Sequence, residues 1–224
     1  MLIFSPFAFL FVLLLFFVLG FLFVFIHVGL ITIAAGKIGL TPNQVFLFLL
    51  ASLLGSHVNL PLTRVRREAD PLEETLVRFF GVPYVVPRLS EEAYTVIALN
   101  VGGGLIPVLL SLYLWVKNGL FLAPLLGTIL LSYVCYRLAR PVPGVGIAVP
   151  FLIPPLVAAL FAILAAPHKA PAVAYISGTL GTLIGADLLH LRDIPRLRTP
   201  VASIGGAGTF DGIFLTGIVA VLLA

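Results

Sequence analysis

Asp187 and Asp211 are the residues of this chain whose type and setting most readily do chemistry. Of nine acids, these two lie within long apolar stretches; Asp193 and the acids between residues 68 and 92 belong to charged connections that read as solvated surface. Two carboxylates sharing a site cannot comfortably both ionise, so they hold one proton between them at neutral pH. One can then act as acid while the other activates a water against an amide. His57, Asn59, Asn100 and His190 are the polar side chains expected at the same depth. Gly206, Gly208, Thr209 and Gly212 offer exposed backbone beside Asp211, and together these eight are the candidate substrate-binding set. A nitrogen and oxygen metal site from His57, His190, Asp187 and Asp211 has suitable ligand types but no HExxH motif or other close ligand pair. Neither a metal nor a cofactor is therefore expected.

The surroundings of these residues are oily. The chain has 224 residues, 61% apolar and only 10% charged, with a mean hydropathy of +1.19. A water-soluble domain carries about 25% charged residues, so too few charges are present to cover a surface facing water. A single cysteine, Cys135, excludes an internal disulfide and a cysteine-based zinc site. The net charge of +4 sits in short clusters between apolar runs without interleaved aromatic residues, a poor match to nucleic-acid binding. The expected class is an all-α, multi-pass protein of the cell membrane, with the lipid bilayer as its first partner.

A bilayer core of about 30 Å needs roughly 20 helical residues. Apolar runs between charges predict seven transmembrane helices, near 4–33, 43–62, 93–116, 119–138, 145–166, 170–190 and 204–224, forming a single domain over 1–224. The first has no cationic segment before it, so it reads as a true span rather than a cleaved signal. Alternating the spans puts all ten arginines on one side and the three lysines, Lys37, Lys117 and Lys169, on the other. This predicts a cytoplasmic amino terminus and an external carboxyl terminus. The long connection, 63–92, carries a helix-start signature at Asp70-Pro71 with Glu73 and Glu74. Leu72, Leu76, Phe79 and Phe80 follow at helical spacing, so a short amphipathic helix on the cytoplasmic interface is expected.

In that orientation the polar intramembrane residues gather at the cytoplasmic ends of the spans. Glycine and proline follow the same map, at Asn100–Pro107, Pro141–Pro150 and Ser203–Gly212. Such residues free backbone groups that cannot face lipid unpaired, so three breaks at one level predict a polar cavity open to the cytoplasm. The alternative is that glycines only bring helices close, as Gly181-xxx-Gly185 would. At 100° per residue Asp187 points away from the Gly178/Gly181/Gly185 stripe. If that stripe packs on the last span, a meeting of the two aspartates needs the helix to unwind near Gly185.

The run Gly205–Gly217, GGAGTFDGIFLTG, preceded by Gly185–His190, resembles the signature of an uncharacterised family of small multi-pass membrane proteins of archaea and bacteria. Val58–Leu62 and Asn100–Gly104 extend that likeness over most of the chain. The resemblance implies a membrane location and no particular activity. The order of Asp187 and Asp211, one on a helix entering the cytoplasm and one on the next helix leaving it, also resembles the GxGD intramembrane aspartyl proteases, the presenilin and signal-peptide-peptidase group. That likeness implies catalytic roles for both aspartates and a transmembrane peptide substrate. This chain departs from the pattern by inserting Thr209 and Phe210 before Asp211, by Ala186 in place of a tyrosine, and by lacking a Pro-Ala-Leu segment.

Two further functions stay open. Broken helices around a membrane carboxylate also suit a small-solute or ion-coupled carrier, with Asp211 carrying the coupling proton. A scaffolding role needs no reaction at all. A polar residue followed by glycines recurs at Asn100 and Ser203, a pattern of parallel internal repetition. The sequence names neither a substrate nor an oligomeric state.

Overall fold

Start signals in the sequence set where the helices begin. Thr41 and Gln44 cap one another reciprocally, each side chain accepting from the other's backbone N–H, and Pro42 opens the turn. In the computed structural model, which describes residues 16–17, 28–66, 73–79, 82–88, 94–206 and 212–224, the helices are α1 (Val28–Lys37), α2 (Pro42–Gly55), α3 (Ile106–Asn118), α4 (Leu122–Leu138), α5 (Ile153–Ala165), α6 (Ala170–Thr182) and α7 (Gly212–Leu223). A wider π-helical turn, Val101–Leu105, leads into α3, and another, Leu183–Leu188, continues α6. A 3₁₀ segment, Leu191–Leu197, then leaves α6 at a 58° bend.

The fold is mainly helical and built around α6, which is buried along nearly its whole length and packs on α3, α4, α5 and α7. Small and hydroxyl residues of α6 make this possible. Gly181 and Gly185 lie so close to α4 that an added Cβ would overlap Leu131 at the first and the Ser132 carbonyl at the second. Gly178 faces Thr216 of α7 and Ala158 of α5 at ordinary contact distance. Outward faces are the oilier ones: Val116, Leu122, Ile129, Leu160 and Leu164 are all exposed.

Seven uninterrupted 20-residue spans are not what the described residues contain. Val101–Asn118 alone has the length and hydropathy to cross a bilayer, and Pro167–Leu188 with Leu191–Leu197 passes only as a bent pair. The remaining apolar helices are 10–17 residues long, and most of the first expected span lies outside the described residues. Strands take the missing length: β1 (Asn59–Arg66), β4 (Tyr94–Asn100), the hairpin β5 (Arg140–Val142) and β6 (Gly146–Ala148), and β7 (Val201–Ile204). Each falls where an expected span met the arginine-rich side. β4, with Tyr94, Thr95, Val96 and Ile97, is rich in aromatic and β-branched residues, and such a short apolar run reads equally as the start of a helix.

β1 pairs antiparallel with β4 from Asn59↔Asn100 to Arg66↔Tyr94, with a bulge between Pro61 and Thr63. Pro61 is tolerated because β1 is an edge strand. β7 pairs with the other side of β4, parallel, from Val96↔Val201 to Leu99↔Ile204. The connection at 63–92 also differs from expectation. In place of an amphipathic helix, the backbone of β2 (Glu73–Phe79) pairs antiparallel with β3 (Val82–Arg88). Val82, Tyr84, Val85 and Val86 supply a partner strand, and that pairing outweighs the local helix-start signal at Asp70-Pro71, two residues that lie outside the described ones.

The two ends of the helical body carry different charges. At one end Lys37 donates to the Val221 and Leu222 carbonyls at the end of α7, Lys117 to Gly39 and Lys169 to Asn118. At the other end lie the three-stranded sheet, the β5–β6 hairpin and arginines such as Arg64, Arg137, Arg140 and Arg192.

Candidate functional site

Asp187 sits on the π-helical turn that follows α6. A π-helical turn carries more residues per turn than an α-helix, so it rotates Asp187 out of the phase that a continuous helix would give. The stripe Gly181/Gly185 stays on α4, while the Asp187 carboxylate reaches β7, where Oδ2 accepts from the Gly205 N–H at 2.7 Å. Gly181 and Gly185 thus pack on α4 rather than on the last span, so the condition under which the sequence called for unwinding is not met at these two residues, and Asp211 lies outside the described residues. The Asp187–Gly205 bond is charge-assisted and ties the end of α6 to the end of β7.

The direction of that bond follows from the sheet register. Val96 N–H donates to Pro200 O, so in the parallel ladder Ala202 and Ile204 turn their backbone groups toward β4. Val201, Ser203 and Gly205 therefore turn theirs to the opposite edge, where no strand pairs among the described residues. Asp187 occupies the last N–H of this free edge. Gly205 has φ +85°, and an added Cβ would overlap the Gly104 backbone, so the position accepts no side chain.

Asp187 lines two cavities. The first, about 330 Å³, lies between the free edge of β7, strand β6 and the 3₁₀ segment, with Ser203, Gly206, Ile147 and Thr199 in its wall. The second, about 250 Å³, lies between the β6–α5 connection, the end of α6 and the start of α7, with Pro150, Phe151, Thr182, Gly212 and Thr216 in its wall. Gly206 and Gly212, both expected at the site, thus fall one in each cavity. Asp211, Gly208 and Thr209 lie outside the described residues.

The other expected residues form a separate cluster. Asn100 is 1% exposed. Its Nδ2 donates to Ser56 O at 2.8 Å and to Asn59 Oδ1 at 3.1 Å, and its Oδ1 accepts from Gly103 N–H at 2.7 Å. Asn59 Oδ1 also accepts from Ser203 Oγ. This network joins the end of α2, β1, the π-helical turn before α3, and β7. His57 is exposed at the end of α2, where Nδ1–H donates to Leu53 O at 3.1 Å. His190 is buried, with Nδ1–H donating to Gly185 O at 3.1 Å and its ring 4.9 Å from that of Tyr136. None of these four lines either cavity. The described members of the expected set thus fall in two features, the Asn100 network and the Asp187 cavities, with Ser203 in contact with both, while His57 and His190 make backbone contacts of their own.

The glycine runs divide in the same way. Gly102 abuts Ser52 and Ser56 of α2, and Gly103 and Gly104 abut the backbone at Ile204 and Gly205. Their role is close backbone packing, whereas Gly146 and Gly206 line the first cavity. Among the described residues no group of three His, Cys, Asp or Glu side chains is placed to hold a metal ion.

The family described as protein of unknown function (DUF1614) matches residues 53–223. The chain belongs to this family. The matched region spans β1, the Asn100 network, both cavities and all of α7. No curated protein and no solved structure matches the chain. Sequence reasoning marked Ser203 only as the start of a glycine break and missed Thr199 and the β7 edge, because Val201-Ala202-Ser203-Ile204 is too short to stand out as a strand beside a long apolar run. Pro200 just before it was the available signal.

Proposed function

We propose that this protein is a multi-pass membrane hydrolase of the di-aspartate type, acting on an extended peptide from the arginine-rich, cytoplasmic side. Support for the membrane location comes from the outer faces of the helices and from the small polar contacts between them. Large apolar side chains cover the outside, while Ser52, Ser111, Thr128, Ser132, Ser177, Thr179, Thr182 and Thr216 are buried between helices. Small and hydroxyl-bearing contacts of this kind suit association within lipid. The separation of lysines from arginines at opposite ends fits a cytoplasmic amino terminus.

One observation carries the hydrolase reading: Asp187 lies at the end of an open strand edge that forms the wall of a cavity. An extended peptide adding to the edge of β7 would pair with Val201 and with the Ser203 N–H, the Ser203 carbonyl already accepting from Gly206 N–H, and arrive beside this carboxylate. Asp211 directly precedes Gly212, which lines the second cavity with Asp187, and is the proposed second member. One carboxylate takes a proton from water as the oxygen adds to the peptide carbonyl, and the other donates its proton to the carbonyl oxygen. Collapse of the resulting diol breaks the C–N bond, and the departing amine receives a proton from the dyad.

Replacing Asp187 by Asn and, separately, Asp211 by Asn tests this directly. Each variant should abolish cleavage of a membrane-anchored peptide reporter while leaving the melting transition of the purified protein in place. Cleavage that survives both changes removes the hydrolase reading. Solute uptake into proteoliposomes that is lost with Asp211→Asn would put a carrier in its place.

A further inference from the structure

A third cavity, about 430 Å³, opens where α4 passes into the β5–β6 hairpin; it adjoins the second cavity, sharing Ala148, Val149 and Pro150 with it, but Asp187 is not in its wall. Two arginines, Arg137 in the last turn of α4 and Arg140 at the start of β5, line it, with Leu138, Val142, Val149 and Pro150 as the apolar remainder. Neither guanidinium has a hydrogen bond or ion pair among the described residues, in contrast to Arg196, which pairs with Asp193 at 3.3 Å. Two positive charges in one recess, with no acidic side chain among its described lining residues, call for an anion from outside the chain. Guanidinium groups favour phosphate, which they bind through paired N–H donors.

Its surroundings identify the kind of phosphate. Tyr133 and Tyr136 stand exposed on α4 within a turn of Arg137, and Phe151 and Leu152 are exposed just beyond Pro150. Aromatic side chains at one level mark the boundary between lipid tails and headgroups, and a basic recess at that level on the cytoplasmic face suits an anionic headgroup. We propose that Arg137 and Arg140 form a binding site for the phosphate of an anionic phospholipid, with the acyl chains lying along the apolar outer face of α4 and α5. The proposal rests on the membrane location proposed above and is independent of the hydrolase chemistry.

The experiment uses the full chain in detergent micelles, titrated with phosphatidylglycerol or with phosphatidylcholine and read by native mass spectrometry. Phosphatidylglycerol should be retained in preference to phosphatidylcholine. Arg137→Gln and Arg140→Gln should each weaken that retention roughly fivefold, and the double change roughly thirtyfold, at about one basic-residue contribution apiece. Arg137→Lys with Arg140→Lys should keep most of it, and Arg64→Gln, on an exposed strand elsewhere, should leave it unchanged. Equal retention of both lipids by the natural chain, or an undiminished preference in the double Gln variant, overturns the site. Displacement of phosphatidylglycerol by excess inorganic phosphate would reassign it to a soluble anion and overturn the lipid. Resistance of the chain to carbonate extraction from membranes, measured in parallel, separates failure of this site from failure of the membrane location.

Discussion

Asn100, buried, and Asp187, half-buried, show how differently two polar side chains can be held. Asn100 satisfies both ends of its amide, so its burial is structural. Removing it strands the Ser56 carbonyl and the Gly103 N–H in a dry interior, and each unpaired buried group costs about 1–3 kcal/mol. Asn100→Ala should therefore lower the melting midpoint by on the order of 5 °C or more for a chain of this size, as read by circular dichroism. Asp187→Asn should behave in the opposite way. The amide oxygen still accepts from Gly205, so the fold is kept while any proton chemistry is lost. Depth in an apolar run made both residues visible from sequence alone. It did not separate them, because a satisfied amide and a cavity-lining carboxylate are equally out of place in an oily stretch. Only the partners tell them apart, and the partners of Asn100, at Ser56 and Asn59, are some forty residues away along the chain.

Among the elements, the junctions between strand and helix set the positions of these side chains. β4 and β7 lie side by side, each running into glycines at its end, so the two segments with similar patterns at Asn100 and Ser203 are spatial neighbours. Gly102 is the tightest test of that arrangement. A methyl group there would overlap the Ser52 carbonyl and the Ser56 nitrogen, both backbone atoms that cannot step aside. Gly212 has nothing within 4 Å of the same added atom. Gly102→Ala should thus give little folded protein on size-exclusion chromatography, whereas Gly212→Ala should elute and melt like the natural chain. The β7 edge yields a second prediction. The Val201 N–H points away from β4, so Val201→Pro removes no ladder bond and takes away one donor from the free edge. Cleavage of the reporter should fall at least tenfold with the melting midpoint nearly unchanged; undiminished cleavage would remove edge pairing from the mechanism. The glycine and proline breaks were legible as breaks. Their conversion into strands was not, since pairing between β1, β4 and β7 joins residues 59 to 204, beyond what periodicity within a window can express.

At the scale of the whole molecule, the clearest sequence signal was the split of ten arginines from three lysines, and the coordinates give it a physical form. The lysines cap carbonyls at one end of the bundle and the sheet occupies the other. Helices of 10–17 residues cover only about 15–26 Å at 1.5 Å per residue. Most of the described helices are therefore shorter than a bilayer core of about 30 Å. The many large apolar side chains exposed on the helices are what the proposed membrane location would cover, since in water such surfaces drive aggregation. Labelling decides between these pressures. With Cys135 replaced by Ser, an impermeant maleimide added to intact cells should label Lys117→Cys and leave Arg64→Cys untouched, and permeabilised cells should label both. The reverse pattern would invert the orientation and carry the Asp187 cavities to the outer face. Equal labelling of both in intact cells would mean that no barrier separates the two ends, and the charge split would then need an explanation other than a membrane.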